Sequence, residues 1–139
     1  MRKLLGMAVV FAVALSSCKK DEVKVCELNQ SNLLGTYKPS ALKYKASPSS
    51  PEEDLYLLLE ACEKDDLVVL NSNNTFNYVD GGTQCVPAGD GTGSWTLSGN
   101  TFNIYGQITT VSSFTCSELI FTAPGPIPGS IRTATWVRQ

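Results

Sequence analysis

The chain contains no histidine. That absence removes the side chain that titrates nearest neutrality and the commonest zinc ligand. Ser-His-Asp triads, Cys-His dyads and His-based metal sites are therefore excluded within these 139 residues. Basic residues are scarce as well, with 11 Lys and Arg against 13 Asp and Glu. A chain so balanced has no electrostatic footprint for nucleic acid. No apolar run reaches the roughly 20 residues of a membrane-crossing helix. Internal repeats are absent, and so is any β-α-β alternation, which argues against a parallel sheet.

The N-terminus reads as an address. Met1-Arg2-Lys3 is short and positive, Leu4–Leu15 is mostly apolar, and Ser16-Ser17 precede Cys18. This order fits a signal peptide with small residues at its cleavage site. Leu15-Ser16-Ser17-Cys18 resembles the bacterial lipobox, which implies removal of residues 1–17 and attachment of lipid, palmitate included, to Cys18. Several acyl chains hold a protein stably on a membrane, where one alone does so marginally. The processed chain then carries nine basic against thirteen acidic groups. Residues 18–32 are read as the lipidated cysteine and a flexible tether. Within it, Lys20-Asp21-Glu22 is similar to the surface-export signal of some Gram-negative lipoproteins. The implied location is the outer membrane, at the cell surface, with the periplasmic leaflet as the alternative.

Besides Cys18 there are four cysteines, Cys26, Cys62, Cys85 and Cys116. An even set in an oxidising compartment points to two disulfides. Four cysteines allow three pairings, and the sequence does not choose among them. The arrangement carried forward is Cys62–Cys85 with Cys26–Cys116. In the chain-entropy model the shorter loop contributes about 3 kcal/mol and the longer about 4–5. A four-cysteine zinc site is disfavoured, because no Cys-x-x-Cys pair exists.

From Leu33 onward the pattern is of short strands separated by turn chemistry. Thr36–Tyr44 is a first strand, with Pro39 at an edge or bulge. Ser50, Pro51 and Glu53 form a helix-start signature, and Leu55, Leu58, Leu59 and Cys62 recur at helical spacing, so a helix is expected near residues 51–62. Strands follow at Leu67–Leu70, Thr75–Val79, Ser94–Leu97, Thr101–Tyr105, Gln107–Cys116, Ser117–Ala123 and Ile131–Arg138. On the last of these, Arg132, Ala134 and Trp136 share a face. Glycine-rich residues 81–93 form a long loop, and 124–129 another. The expected class is all-β, a small antiparallel barrel or sandwich of about eight strands with one short helix.

Several segments resemble small lipocalin-like lipoproteins of Gram-negative bacteria. They are Leu34-Gly35-Thr36-Tyr37, with Tyr where Trp is usual; the run from Cys62 through Asp65-Asp66 and Asn74-Thr75-Phe76 to Cys85; Gly93-Ser94-Trp95-Thr96-Leu97; and Ala134-Thr135-Trp136-Val137. The resemblance spans residues 33–139. It implies an up-and-down lipocalin-like barrel and a disulfide between Cys62 and Cys85.

Chemistry is sparse. Asp65-Asp66, with Glu60 and Glu63 nearby, is the strongest metal candidate, and an exposed acidic turn is the simpler reading. No catalytic residues, metal or cofactor are expected, and the chain is read as a non-enzyme. Tyr37, Phe76, Tyr78, Trp95, Phe102 and Phe121 alternate along strands and are expected inside. Barrels of eight strands are either filled by such side chains or hold one small ligand. The reading adopted is a membrane-anchored protein binding a small apolar ligand at the barrel mouth, lined by Leu55, Tyr56, Leu59, Trp95 and Phe102. The alternative is a filled barrel that meets a protein or glycan through loops 81–93 and 124–130.

Overall fold

A computed structural model describes residues 26–89 and 91–139. The expectations for the signal peptide, for Cys18 and for the tether before Cys26 lie outside those residues.

One antiparallel sheet closes into a ring. Its members are β1 (Gly35–Lys45), β3 (Leu67–Leu70), β4 (Thr75–Val79), β5 (Gly91–Ser98), β6 (Thr101–Ile104), β7 (Gln107–Phe114), β8 (Glu118–Pro124) and β9 (Ile131–Arg138). Each pairs with its sequence neighbour, and β9 returns along β1 from Tyr37↔Arg138 to Lys45↔Ile131. A ninth strand, β2 (Glu53–Asp54), adds two residues to the far end of β1. Closure leaves the ring without an unpaired edge along most of its circumference.

Alternation puts the apolar face inside. Val68 and Leu70, Phe102 and Ile104, Leu119 and Phe121 are buried while their neighbours are half-exposed or exposed. Two irregularities adjust the register, one at Pro39/Ala41 in β1 and one at Val111/Ser113 in β7. The β6–β7 turn is the pair Tyr105-Gly106, both at positive φ (55° and 71°), the twist that suits a two-residue hairpin.

The interior is an aromatic column. Trp95 contacts Phe102, which meets Phe121 and Trp136, and Phe121 and Trp136 lie edge to face at 4.9 Å. Tyr37 joins this set through Trp136. Gly93 is opposite Phe76 in the ladder, and a Cβ there would stand 2.6 Å from the Phe76 ring, so only glycine lets that ring lie flat on β5.

One end of the barrel is closed. Helix α1 (Gln30–Leu33) crosses it, capped by the Asn29 side chain accepting from the Asn32 amide at 2.8 Å. Leu33 is 0% exposed, and Tyr37 donates its hydroxyl to the Leu33 carbonyl at 3.0 Å. Arg138 donates to the carbonyls of Leu34 and Asn32 and to Tyr37 Oη, and lies over the Tyr37 ring. The indole N–H of Trp95 is shared by the carbonyls of Asn71 and Thr75. Finally, the Cys26–Cys116 disulfide ties the entering chain to the β7–β8 turn. Residues 26–32 were expected as tether. They are instead part of the domain, because Cys26 and Leu28 pack against the core.

The helix expected at 51–62 is not formed as one element. The segment holds β2, a 3-10 turn at Leu55–Leu58, and helix α2 (Ala61–Lys64). Leu59 and Glu60 between them are extended, with ψ of 146° and 163°. The capping box is made by Glu60 and Glu63 rather than by Ser50 and Glu53, and Ser50 bonds to Ser47 instead. Pairing of Glu53-Asp54 with β1, with Lys43 Nζ 2.6 Å from Asp54, overrides the helical pattern. Leu57 and Leu58 are consequently exposed, at 72% and 78%. Cys62, on α2, is bonded to Cys85 and so holds the long loop after β4.

Candidate functional site

The end opposite α1 is the mouth. It is built from the C-terminal ends of β4, β6 and β8 and the N-terminal ends of β7 and β9. Tyr105 sits at the tip of the β6–β7 turn, and its positive φ is uncommon for a large side chain. That geometry folds the ring over the barrel end, 4.3 Å from the Phe76 centroid and 6.4 Å from that of Tyr78. Behind it lies a recess of about 130 Å3, whose lining includes Leu42, Ile104, Thr109, Phe121, Arg132 and Trp136. This is below the roughly 300 Å3 at which ordinary ligand pockets begin, and holds about four waters' worth of space. The barrel therefore has no deep calyx in the described residues, only a small space at its lip.

Shallower recesses surround the lip. One of about 350 Å3 is formed by Tyr44, Glu53, Leu55, Pro126 and Arg132, and another of about 380 Å3 runs from Gly106 to Arg132 past Ala123 and Pro124. A larger one, about 520 Å3, lies on the outer side of β7 and β8, where Ile108 and Ile131 are exposed. Volume alone would favour the outer recess. We place the candidate site at the mouth, since Arg132 lines three recesses there, including the one inside the ring.

Arg132 is on the inward face of β9, in register with Tyr44 and Ala123. Its Nε is buried and has no hydrogen-bond partner among the described residues. One terminal nitrogen reaches the Pro124 carbonyl at a long 3.4 Å. Lys43–Asp54 is the one ion pair among the described residues, so no carboxylate neutralises Arg132 at contact distance.

The acidic turn has a structural role. Asp66 is buried and accepts from the Tyr78 hydroxyl and from the Gly81 amide. Asp65 accepts from Thr83, and Asp80 from the amides of Cys85 and Gly89. One carboxylate oxygen from each of the three aspartates lies within 4.8 Å of the others, while Glu60 and Glu63 cap α2 instead. These carboxylates organise loop 80–89 through backbone amides, which is why the turn is not the open acidic surface expected. Burial, and then the Asp66 charge, push the Tyr105 hydroxyl up to about 12. Burial first and the bond to Asp66 second raise Tyr78 further. Both hydroxyls stay protonated through the physiological range.

The residues expected to line a ligand separate. Leu55 does reach the lip. Tyr56 is half-buried against the outside of β1, donating to the Pro39 carbonyl with Lys64 over its ring. Leu59, in the extended link before α2, is not at the recess. Trp95 and Phe102, 1% and 0% exposed, are core: the closed end and the aromatic column engage them on every side. Arg132, Tyr105 and Trp136 were not expected as lining. The shared face of Arg132, Ala134 and Trp136 was the available signal for two of them, and the Tyr-Gly turn for the third.

A family model for the lipocalin-like domain matches residues 33–122. The match covers more than half of the chain, which therefore belongs to the lipocalin-like domain family. A search of curated proteins finds no match.

Proposed function

We propose that this chain is a lipid-anchored lipocalin-like protein that binds a small apolar group at the lip of its barrel. The observation that carries the reading is the recess behind Tyr105, where apolar side chains from four strands line a small space at one barrel end. A ligand inserts only its tip there and lies along the recess toward Leu55. The protein performs no chemistry on it. Anchoring rests on Cys18 and its lipobox-like context, and Lys20-Asp21-Glu22 supports the outer face of the outer membrane over the periplasmic leaflet.

The test is native mass spectrometry of the full chain purified from its own membrane, beside Ala134→Trp, which fills the recess. A small-molecule adduct retained by the natural chain and lost in the variant is expected. Bare protein in both overturns ligand binding. A natural chain without lipid on Cys18 overturns the anchor.

The small interior favours one second reading, a filled barrel that meets a surface protein or glycan. Its observation is the exposed apolar set around loop 124–130: Ile108, Ile127 and Ile131. Substituting Ile108 and Ile127 by Ser would then abolish the association while leaving the recess and any adduct intact.

A further inference from the structure

We infer that the ligand taken at the mouth is anionic: a short-chain amphiphile whose carboxylate or other oxyanion pairs with Arg132 while its apolar tail enters the recess. This rests on the mouth-binding reading above and adds the headgroup to it.

Two arginines stand on the inner face of β9, six residues apart, one at each end of the barrel. Both have an Nε that is buried without a partner among the described residues. They differ in their terminal nitrogens. Arg138 makes three hydrogen bonds, to Leu34, Asn32 and Tyr37, and covers an aromatic ring. Its role is complete within the fold. Arg132 makes one long bond, to Pro124. Its guanidinium carries five N–H donors, so most remain available, and no described carboxylate is in ion-pair contact. Glu53 shares the recess of about 350 Å3 at the lip but makes no such contact.

A half-buried cation left without an anion is costly, and the cost falls when a ligand supplies the charge. The neighbours fit an amphiphile. Leu42, Ile104, Phe121 and Trp136 give the recess an apolar floor, with Arg132 on its wall. Two oxygens of a carboxylate or phosphate accept two parallel N–H bonds from a guanidinium, a geometry that a single hydroxyl does not match. The small volume limits the buried tail to a few carbons, so charge decides the choice between ligands of equal length.

The probe pair is hexanoate and 1-hexanol, added to the purified full chain in an uncharged detergent and compared at equal free concentration in water. The reporter is the indole N–H resonance of Trp136. Hexanoate is expected to bind about tenfold more tightly than hexanol. In Arg132→Gln that preference disappears, hexanoate and hexanol binding equally well, and Arg132→Lys retains part of it. An unaltered Trp95 resonance in the unliganded variants establishes that they fold. Equal binding of both probes overturns the headgroup inference and leaves the mouth-binding reading standing. A preference that survives in Arg132→Gln overturns the assignment to Arg132. Failure of both probes to move Trp136 overturns the inference together with the reading beneath it.

Discussion

The two ends of this barrel are built from similar parts and put to different uses. Each has an arginine from β9, a tyrosine beside it, a disulfide nearby and aromatic rings behind. At the closed end, the carbonyls of Asn32 and Leu34 and the Tyr37 hydroxyl bind Arg138, Cys26–Cys116 ties the entering chain down, and Leu33 stops the bore. At the mouth, Cys62–Cys85 restrains a loop instead of a lid, Tyr105 is half exposed, and Arg132 has little to bind. The difference teaches where stability and function separate. Hydrogen bonds satisfied inside the fold make an end rigid; donors left over make it receptive.

The comparison breaks most visibly at the closed end. Trp95→Ala is expected to cost about 3–5 kcal/mol, since it leaves a cavity under the Asn71–Thr75 turn and removes the indole bond its two carbonyls share. Urea unfolding measures this, and a loss below about 1 kcal/mol would mean the plug is not what holds the ring. Replacing Cys26 and Cys116 together by Ala is expected to cost about 2–5 kcal/mol, and more than the Cys62/Cys85 double variant, because the loop it closes is longer. Equal losses would say that the two disulfides do the same job.

The arginine pair gives a sharper contrast at smaller amplitude. Arg138→Met is expected to cost about 1–3 kcal/mol, for the lost bonds and the buried groups left unpaired. Arg132→Met is expected to lie within about 0.5 kcal/mol of the natural chain, since its only hydrogen bond among the described residues is the long one to Pro124. A large loss at Arg132 would make it a structural residue.

The smallest effect is on alkaline stability. Tyr105 titrates near 12 in the fold and near 10 when unfolded, so its neutral form is favoured by folding. The sign follows by linkage: the contribution is complete below pH 10 and is lost as pH rises toward 12. Tyr105→Phe should remove part of the fall in thermal midpoint across that interval and change nothing at pH 7. Half of its surface is exposed, so the change is small.

Much of this architecture was legible in the residues. Alternation at Val68/Leu70, Trp95/Leu97 and Leu119/Phe121 gives strands, and the turn residues between them give their order. The leucines at 55, 58 and 59 misled for a physical reason. Helical spacing over one turn is equally served by a 3-10 turn, and the strand pairing of Glu53-Asp54 with β1 is non-local. Asp66 looked like surface because its partners, Tyr78 and Gly81, follow it by 12 and 15 residues. Trp95 and Phe102 were rightly placed inside, but sequence does not say at which depth a barrel is plugged. That depth depends on α1, which lies in a stretch that reads as tether. Arg132 was visible on the face of Trp136, and only the closed ring shows that this face ends at a mouth.

The central claim is that the closed end is structural and the mouth receives the ligand. The most direct test is a heteronuclear NMR titration of the full chain with hexanoate, following every assigned backbone amide. The account predicts shifts at Ile104, Gln107, Phe121, Arg132 and Trp136, with none at Leu33, Trp95 or Arg138. Shifts centred on the closed end, or on loop 80–89 with the mouth silent, would contradict it.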